Sequence, residues 1–324
     1  MTTYYGLYGQ KVQYLASDPT DVQVGQVWYN STSATLKVRQ TVATNTWATG
    51  GNMNTAKNET AGAGTQTAGL SFGGYSPGNT GATEKYNGTS WTSNPTNMNT
   101  ARRELAGSGI QTAALAFGGY DSNSTGATES FNGTSWTNSP ASLNTASHAL
   151  TGFGTNTASI AAGGIATTVF TAATESYNGS SWTNVNSLNT TRGSLAGVGI
   201  QTAGLVFGGR TPTKQSATES WNGTSWTTVN SLNTARSLLA GAGIQTSALA
   251  FGGEAAPGAT GATELWNGTS WTSNPTGLGT ARSGLAGAGT QTAGLGFGGY
   301  SGTFSTATEE FTGTVASNRT VTVT

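Results

Sequence analysis

Two sets of charged residues return at a near-constant interval along the chain. Glu84, Glu129, Glu175, Glu219, Glu264 and Glu309 form one set. Lys57, Arg102, Arg192, Arg236 and Arg282 form the other, with Ser147 where a further cation is due. These eleven residues are a large share of a chain with only 13 cations and 13 anions. A carboxylate and a guanidinium in fixed register suit ion pairs tying one repeat to the next. Buried charges need such partners. Catalysis is a poorer reading, because a ring of equivalent positions has no reason to hold six active sites. The remaining chemistry is sparse. There is no cysteine and one histidine, His148, so thiol nucleophiles, thiolate metal sites, His-built metal sites and His-dependent triads are excluded or disfavoured. Aspartate occurs only at Asp18, Asp21 and Asp121.

The elements that carry these charges keep the same beat. Trp47, Trp91, Trp136, Trp182, Trp226 and Trp271 are 44 to 46 residues apart. Gly pairs at 73–74, 118–119, 163–164, 208–209, 252–253 and 298–299 follow the same spacing. Two independent markers on one period define a structural repeat. Each unit reads as four short strands. From Glu104 these are "ELAGSG", "TAALAFGG", "ATESFNG" and "SWTN". Ala113, Leu115 and Phe117 alternate as in a half-buried strand. Asn132-Gly133 is a two-residue hairpin signal, because both positions tolerate positive φ. It recurs at 87–88, 178–179, 222–223 and 267–268. The third-strand aromatic and the fourth-strand Trp are expected to pack between neighbouring units, each ring burying on the order of 150–250 Å². Gly/Ala-rich first strands such as "LAGAG" belong innermost, where units converge.

Four antiparallel strands per unit is the plan of a β-propeller blade. The order Gly pair, aromatic, Trp, Arg resembles the kelch repeat. It is carried by Gly118, Gly119, Phe131, Trp136 and Arg102, and recurs from about Asn52 to Phe311. Three positions depart from it: Ala162 replaces a Phe, Ser147 an Arg, and Ala316 a Trp. The expected fold is therefore all-β, a kelch-type propeller. Seven blades are favoured, six regular and one degenerate, with six as the alternative. The units run 25–51, 52–96, 97–141, 142–186, 187–230, 231–276 and 277–324, after an N-terminal attachment segment over 1–24. In the degenerate blade Val27–Asn30 is the second strand, Leu36–Arg39 the third, and Trp47 opens the fourth. Its first strand is either Lys11–Leu15 or Arg319–Thr324.

Several motifs dissolve on inspection. "GAGTQTAG" has the glycines of a phosphate loop, but strands flank it and no helix follows to face an anion. "NGT" and "NGS" match a glycosylation acceptor yet coincide with the hairpin turn. "NGTSW" resembles the Asp-box turn of sialidase-type propellers with Asn in place of Asp, and the scarce aspartates do not provide a glycosidase pair. A copper site like that of galactose oxidase needs a cysteine cross-link and histidines. No cofactor and no metal are expected. The balanced charge and the lack of any basic run argue against nucleic acid. No apolar run reaches the roughly 18 residues of a membrane span, and the start lacks a signal-type apolar region.

The frame is nearly copied from unit to unit, while the loop between second and third strands is not. Loops on a rigid scaffold commonly carry binding. Tyr75, Asp121, Phe170, Arg210, Lys214, Glu254 and Phe304 are the binding candidates, on a polar and aromatic surface suited to glycans or a protein. "SDPTDVQVGQVWYNSTSATLKV" (Ser17–Val38) resembles a segment near the start of many tailed-phage virion proteins, marine ones especially. Together with the repeat this resemblance implies a non-enzymatic structural or adhesion protein of a phage particle. It would be made in the host cytoplasm and exposed on the virion in several copies. Its partners would be capsid or tail proteins and a host glycan or protein. A lectin acting off the particle is the alternative, and a polysaccharide-active enzyme ranks last.

Overall fold

A computed structural model describes residues 12–42 and 44–321, which form strands and no helix. The chain divides into two compact units: Thr46–Thr312, and the two chain ends, Met1–Asn45 with Gly313–Thr324.

The larger unit is a six-bladed β-propeller. Blade two shows the plan: Ala106–Ile110, Ala113–Phe117, Thr128–Phe131 and Trp136–Asn138, antiparallel throughout. Blades one, three, four and five repeat it over 61–93, 151–185, 196–229 and 240–274. Blade six takes Ala286–Gly289, Ala293–Phe297 and Thr308–Thr312 from the end of the unit. Its outermost strand, Thr46–Thr49, comes from the beginning. The alternative blade count therefore holds and the favoured seven does not. Trp47 opens no seventh blade. It pairs opposite Phe311 and supplies the indole that Ala316 fails to give the last repeat.

Two closed circles of backbone hydrogen bonds join the blades. In the outer circle the second glycine of each pair donates to the connector entering the next blade. The acceptors for Gly74, Gly119, Gly164, Gly209, Gly253 and Gly299 are the carbonyls of Arg102, Ser147, Arg192, Arg236, Arg282 and Lys57, at 2.8–2.9 Å. This close approach explains the glycines. At Gly118, φ is +64°, and a Cβ would come within 2.8 Å of the Ser147 carbonyl. The inner circle surrounds one mouth of the central channel. Glu104, Ala149, Ser194, Leu238, Gly284 and Glu59 each donate to the preceding member, at 2.7–3.0 Å. All six have φ between 51° and 62°.

Side chains stitch the same joints. Each fourth-strand indole donates to a third-strand threonine of the previous blade: Trp91 to Thr308, Trp136 to Thr83, Trp182 to Thr128, Trp226 to Thr174, Trp271 to Thr218 and Trp47 to Thr263. Trp136 lies 4.9 Å from Phe131 of its own blade and 4.9 Å from Phe72 of the one before. The expected aromatic layer is thus present, with a second-strand Phe added. Because blades cover both faces, Ala114, Leu115, Ala116 and Phe117 are all buried, and not alternately as the period-2 pattern implied.

The register-fixed charges pair inside the blade that each connector enters, and so anchor the crossing between blades. Arg102–Glu129, Arg192–Glu219, Arg236–Glu264 and Arg282–Glu309 approach to 2.9–3.1 Å with both partners buried. Lys57 is the exception among the cations. Its ammonium donates to the Ala82 carbonyl at 2.8 Å, and burial pulls its pKa down to about 8. A third repeated group escaped the sequence reading. Gln66, Gln111, Gln201, Gln245 and Gln291 sit in the first turn of their blades and donate to carbonyls of the preceding blade. Gln291, for example, reaches Ala248 at 2.9 Å and Trp266 at 2.5 Å. Gln291→Ala removes both of these hydrogen bonds and is expected to cost about 1–3 kcal/mol, read from urea denaturation.

The smaller unit is a four-stranded sheet in the order Gln13–Leu15, Val27–Asn30, Thr35–Val42, Val315–Thr320. The first pair is parallel and the others antiparallel. Both candidate first strands therefore join this sheet, although Lys11 and 322–324 lie outside the described residues. The expected boundary at residue 25 moves to Thr46, because this sheet belongs with the chain ends. Asp18 binds the unit together. Its carboxylate accepts from Lys37, Asn30, Trp28 and Asn318, and the Lys37 bond above all holds its pKa well below the usual range.

Candidate functional site

Two elements of each blade meet at the channel mouth encircled by the inner hydrogen-bond ring. One is the connector just before the first strand. The other is the variable loop between the second and third strands. Backbone bridges pin them together: Asn58 to Tyr75, Arg103 to Tyr120, His148 to Ile165, Gly193 to Arg210, Ser237 to Glu254 and Ser283 to Tyr300. The ladder fixes where each side chain starts, and the residue types then decide what the mouth presents.

Those types are uneven around the ring. Blades one to three contribute Asn58, Glu59, Arg103, Glu104, His148 and Ala149, whereas blades four to six contribute Gly193, Ser194, Ser237, Leu238, Ser283 and Gly284 at the same positions. The ring of connectors thus carries one charged sector. Over it lies a cavity of about 350 Å³ lined by Asn58, Glu59, Tyr75, Arg103, Glu104, Tyr300 and Phe304. Its aromatic wall is continuous. Tyr75 and Phe304 meet edge to face at 5.6 Å, and Tyr300 and Phe304 at 5.8 Å. The Arg103 guanidinium lies over Tyr75 at 4.9 Å and over Tyr120 at 5.0 Å, with its Nε 3.4 Å from Glu59. Glu104 faces His148 Nε2 at 3.6 Å, while His148 Nδ1 meets the Ser124 hydroxyl at 2.9 Å.

Burial, and then the charge of Glu104, push the Glu59 carboxyl up to about 7 against the pull of Arg103 and Arg210. Burial likewise lowers the pKa of His148, against Glu104. The sign follows. A carboxyl raised in the folded state contributes stability that is full below its ordinary value near 4.5 and is lost as pH rises through about 7. Over that interval the melting temperature of the native chain is expected to fall relative to Glu59→Gln, which carries no titrating group there. Parallel pH profiles of the two proteins would contradict the assignment.

The cavity gathers two of the residues expected from the sequence, Tyr75 and Phe304. The others stand apart from it. Arg210 is bridged to Gly193 across the mouth, where its charge still acts on Glu59 and His148. Lys214 reaches Glu254 at 3.3 Å and the Ala255 carbonyl at 3.1 Å, tying the loops of blades four and five. Asp121 caps its own loop through the amides of Ser122 and Asn123. Phe170 sits in a small hairpin opposite Ile165. Sequence reasoning passed over Asn58, Glu59, Arg103, Glu104 and Tyr300 as site residues. The signal was available: the two residues after each register-fixed cation vary freely within an otherwise copied frame. No protein-family model matches the chain, and no curated protein is similar to it.

Proposed function

We propose that the protein is a non-enzymatic structural and adhesion component of a tailed-phage particle, built on a kelch-type propeller and displaying one recognition pocket. The observation that carries the recognition role is the asymmetry of the mouth. Six near-identical blades converge there, yet these connector positions carry charge in blades one to three and none in blades four to six, and the Tyr75–Phe304–Tyr300 wall stands beside the charged ones. A purely architectural ring has no need of that difference. The carboxylates are tied to Arg103 and His148, which suits holding a ligand more than attacking one. The particle assignment rests on the resemblance of Ser17–Val38 to virion proteins. The whole of that segment lies in the unit formed by the chain ends and none of it in the ring. In this reading that unit contacts capsid or tail proteins, several copies assemble on the virion, and the ring faces the host.

Two measurements test the proposal. Mass spectrometry of purified particles should find the chain in intact virions, and its absence would refute the particle role. Particles carrying Tyr75→Ala with Phe304→Ala should adsorb to host cells at least about tenfold more slowly at unchanged particle yield, since each ring is an anchor of the pocket. Unaltered adsorption would remove the pocket from the function.

A further inference from the structure

The cavity over blades six, one and two carries more negative than positive lining. Two carboxylates, Glu59 and Glu104, line it with one guanidinium, Arg103, which is held by Glu59 and by its two ring contacts. Asn58 also lines the cavity, and its buried side-chain oxygen has no hydrogen-bond partner. Phe304 and Tyr300 supply aromatic surface away from the Arg103 stack. Carboxylates and aromatic surface together are complementary to a group that is cationic, donates hydrogen bonds and sits on a partly apolar body. A primary ammonium has those properties. The volume of about 350 Å³ is at the lower end for small-molecule pockets and admits a whole sugar ring, where the tip of a lysine side chain would leave most of it empty.

We infer that this pocket binds an amino sugar, a hexosamine with a free ammonium group, whose cation lies between Glu59 and Glu104 and whose ring packs on Phe304 and Tyr300. The inference rests on the recognition role proposed above and narrows it to a ligand class. Three charges act on Glu59: Glu104 and Arg103 from blade two and Arg210 from blade four. Of these, Glu104 alone favours a cation.

The test is calorimetric titration of the full chain with three probes: a β-linked glucosamine tetramer, the same tetramer N-acetylated, and a lysine-containing tetrapeptide. The free-amine sugar is expected to bind at least about tenfold more tightly than its acetylated form, because acetylation removes the charge and leaves the carboxylates uncompensated. Glu59→Gln and Glu104→Gln should each weaken it at least about fivefold without a lower melting temperature. Arg103→Gln should tighten it, which distinguishes a cationic ligand from a neutral or acidic one. Equal or tighter binding of the acetylated tetramer would overturn the inference, as would binding of the peptide alone, loss of sugar binding in Arg103→Gln, or no binding of any probe. If the acetylated sugar binds and Tyr75→Ala abolishes it, the recognition role survives and only the ligand class fails. If the chain is absent from virions while the amine binds, the particle role fails and the ligand class stands.

Discussion

Replacing Glu219 with alanine is expected to destabilise the ring by about 3–5 kcal/mol, the range for breaking one partner out of a buried ion pair. For a unit of this size that corresponds to a melting temperature lower by roughly 6–20 °C. The substitution strands the Arg192 guanidinium. It also removes the acceptor for the backbone N–H of Asn189 at 2.7 Å and of Thr190 at 3.3 Å. Arg192→Ser is expected to cost less, about 1–3 kcal/mol. Blade three supports that ordering, because it already lives without the arginine. There Ser147 replaces it, and Glu175 is held by the amides of Asn144 and Thr145, both at 2.8 Å, and by the Asn144 side chain at 2.9 Å. Every blade keeps the glutamate, whereas the arginine gives way to Lys57 in blade one and to Ser147 in blade three. The carboxylate is therefore the hub of the connector, and the guanidinium is its counter-charge. Chemical denaturation of the two variants side by side decides the matter. An Arg192→Ser cost equal to or above that of Glu219→Ala would reverse the roles.

The same asymmetry explains how much was legible beforehand. Strand positions could be read because each is written six times, and an error in one copy is corrected by the others. Glu129 and Arg102 announced a pair through register alone, and they form one. What the register could not say is that both lie in one blade. That depends on where the chain crosses between sheets, and every copy makes the same crossing. The blade count turned on Trp47. Its spacing fits a seventh unit, but its partners Thr263, Phe251 and Phe311 are over 200 residues away. No local pattern encodes a closure made by opposite ends of a ring. The pocket was half legible for a related reason. Tyr75 and Phe304 stood out as loop residues. Glu59 and Arg103 were masked by the frame, since "KNETAG" and "RRELAG" look like variants of one connector. Only the circular arrangement turns those neighbours into a sector facing a single cavity.

Blade three also holds the sharpest test of the aromatic layer. Elsewhere the indole of the next blade meets a second-strand phenylalanine, as Trp182 meets Phe117 at 4.8 Å and Trp271 meets Phe207 at 4.9 Å. Ala162 leaves that place empty in blade three. Phe153, on the first strand, fills it from the side and meets Trp226 edge to face at 6.4 Å. Blade four makes room with Gly204, where a Cβ would come within 2.3 Å of the Phe153 ring. The ring has moved one strand inward with the joint intact. Phe153→Ala is therefore expected to cost about 3–5 kcal/mol, as for other buried aromatic truncations that open a cavity. Adding Ala162→Phe to it restores the arrangement of the neighbouring blades, with alanine on the first strand as at Ala63 and phenylalanine on the second as at Phe72. The double variant should recover most of the loss. Ala162→Phe alone should destabilise by about 1–3 kcal/mol, because two rings would compete for one site. The interaction energy of this cycle, measured from denaturation midpoints, is thus expected to be large and favourable. If the double variant is merely the sum of the two single losses, Phe153 does not stand in for the missing phenylalanine, and the aromatic layer is broken at this joint.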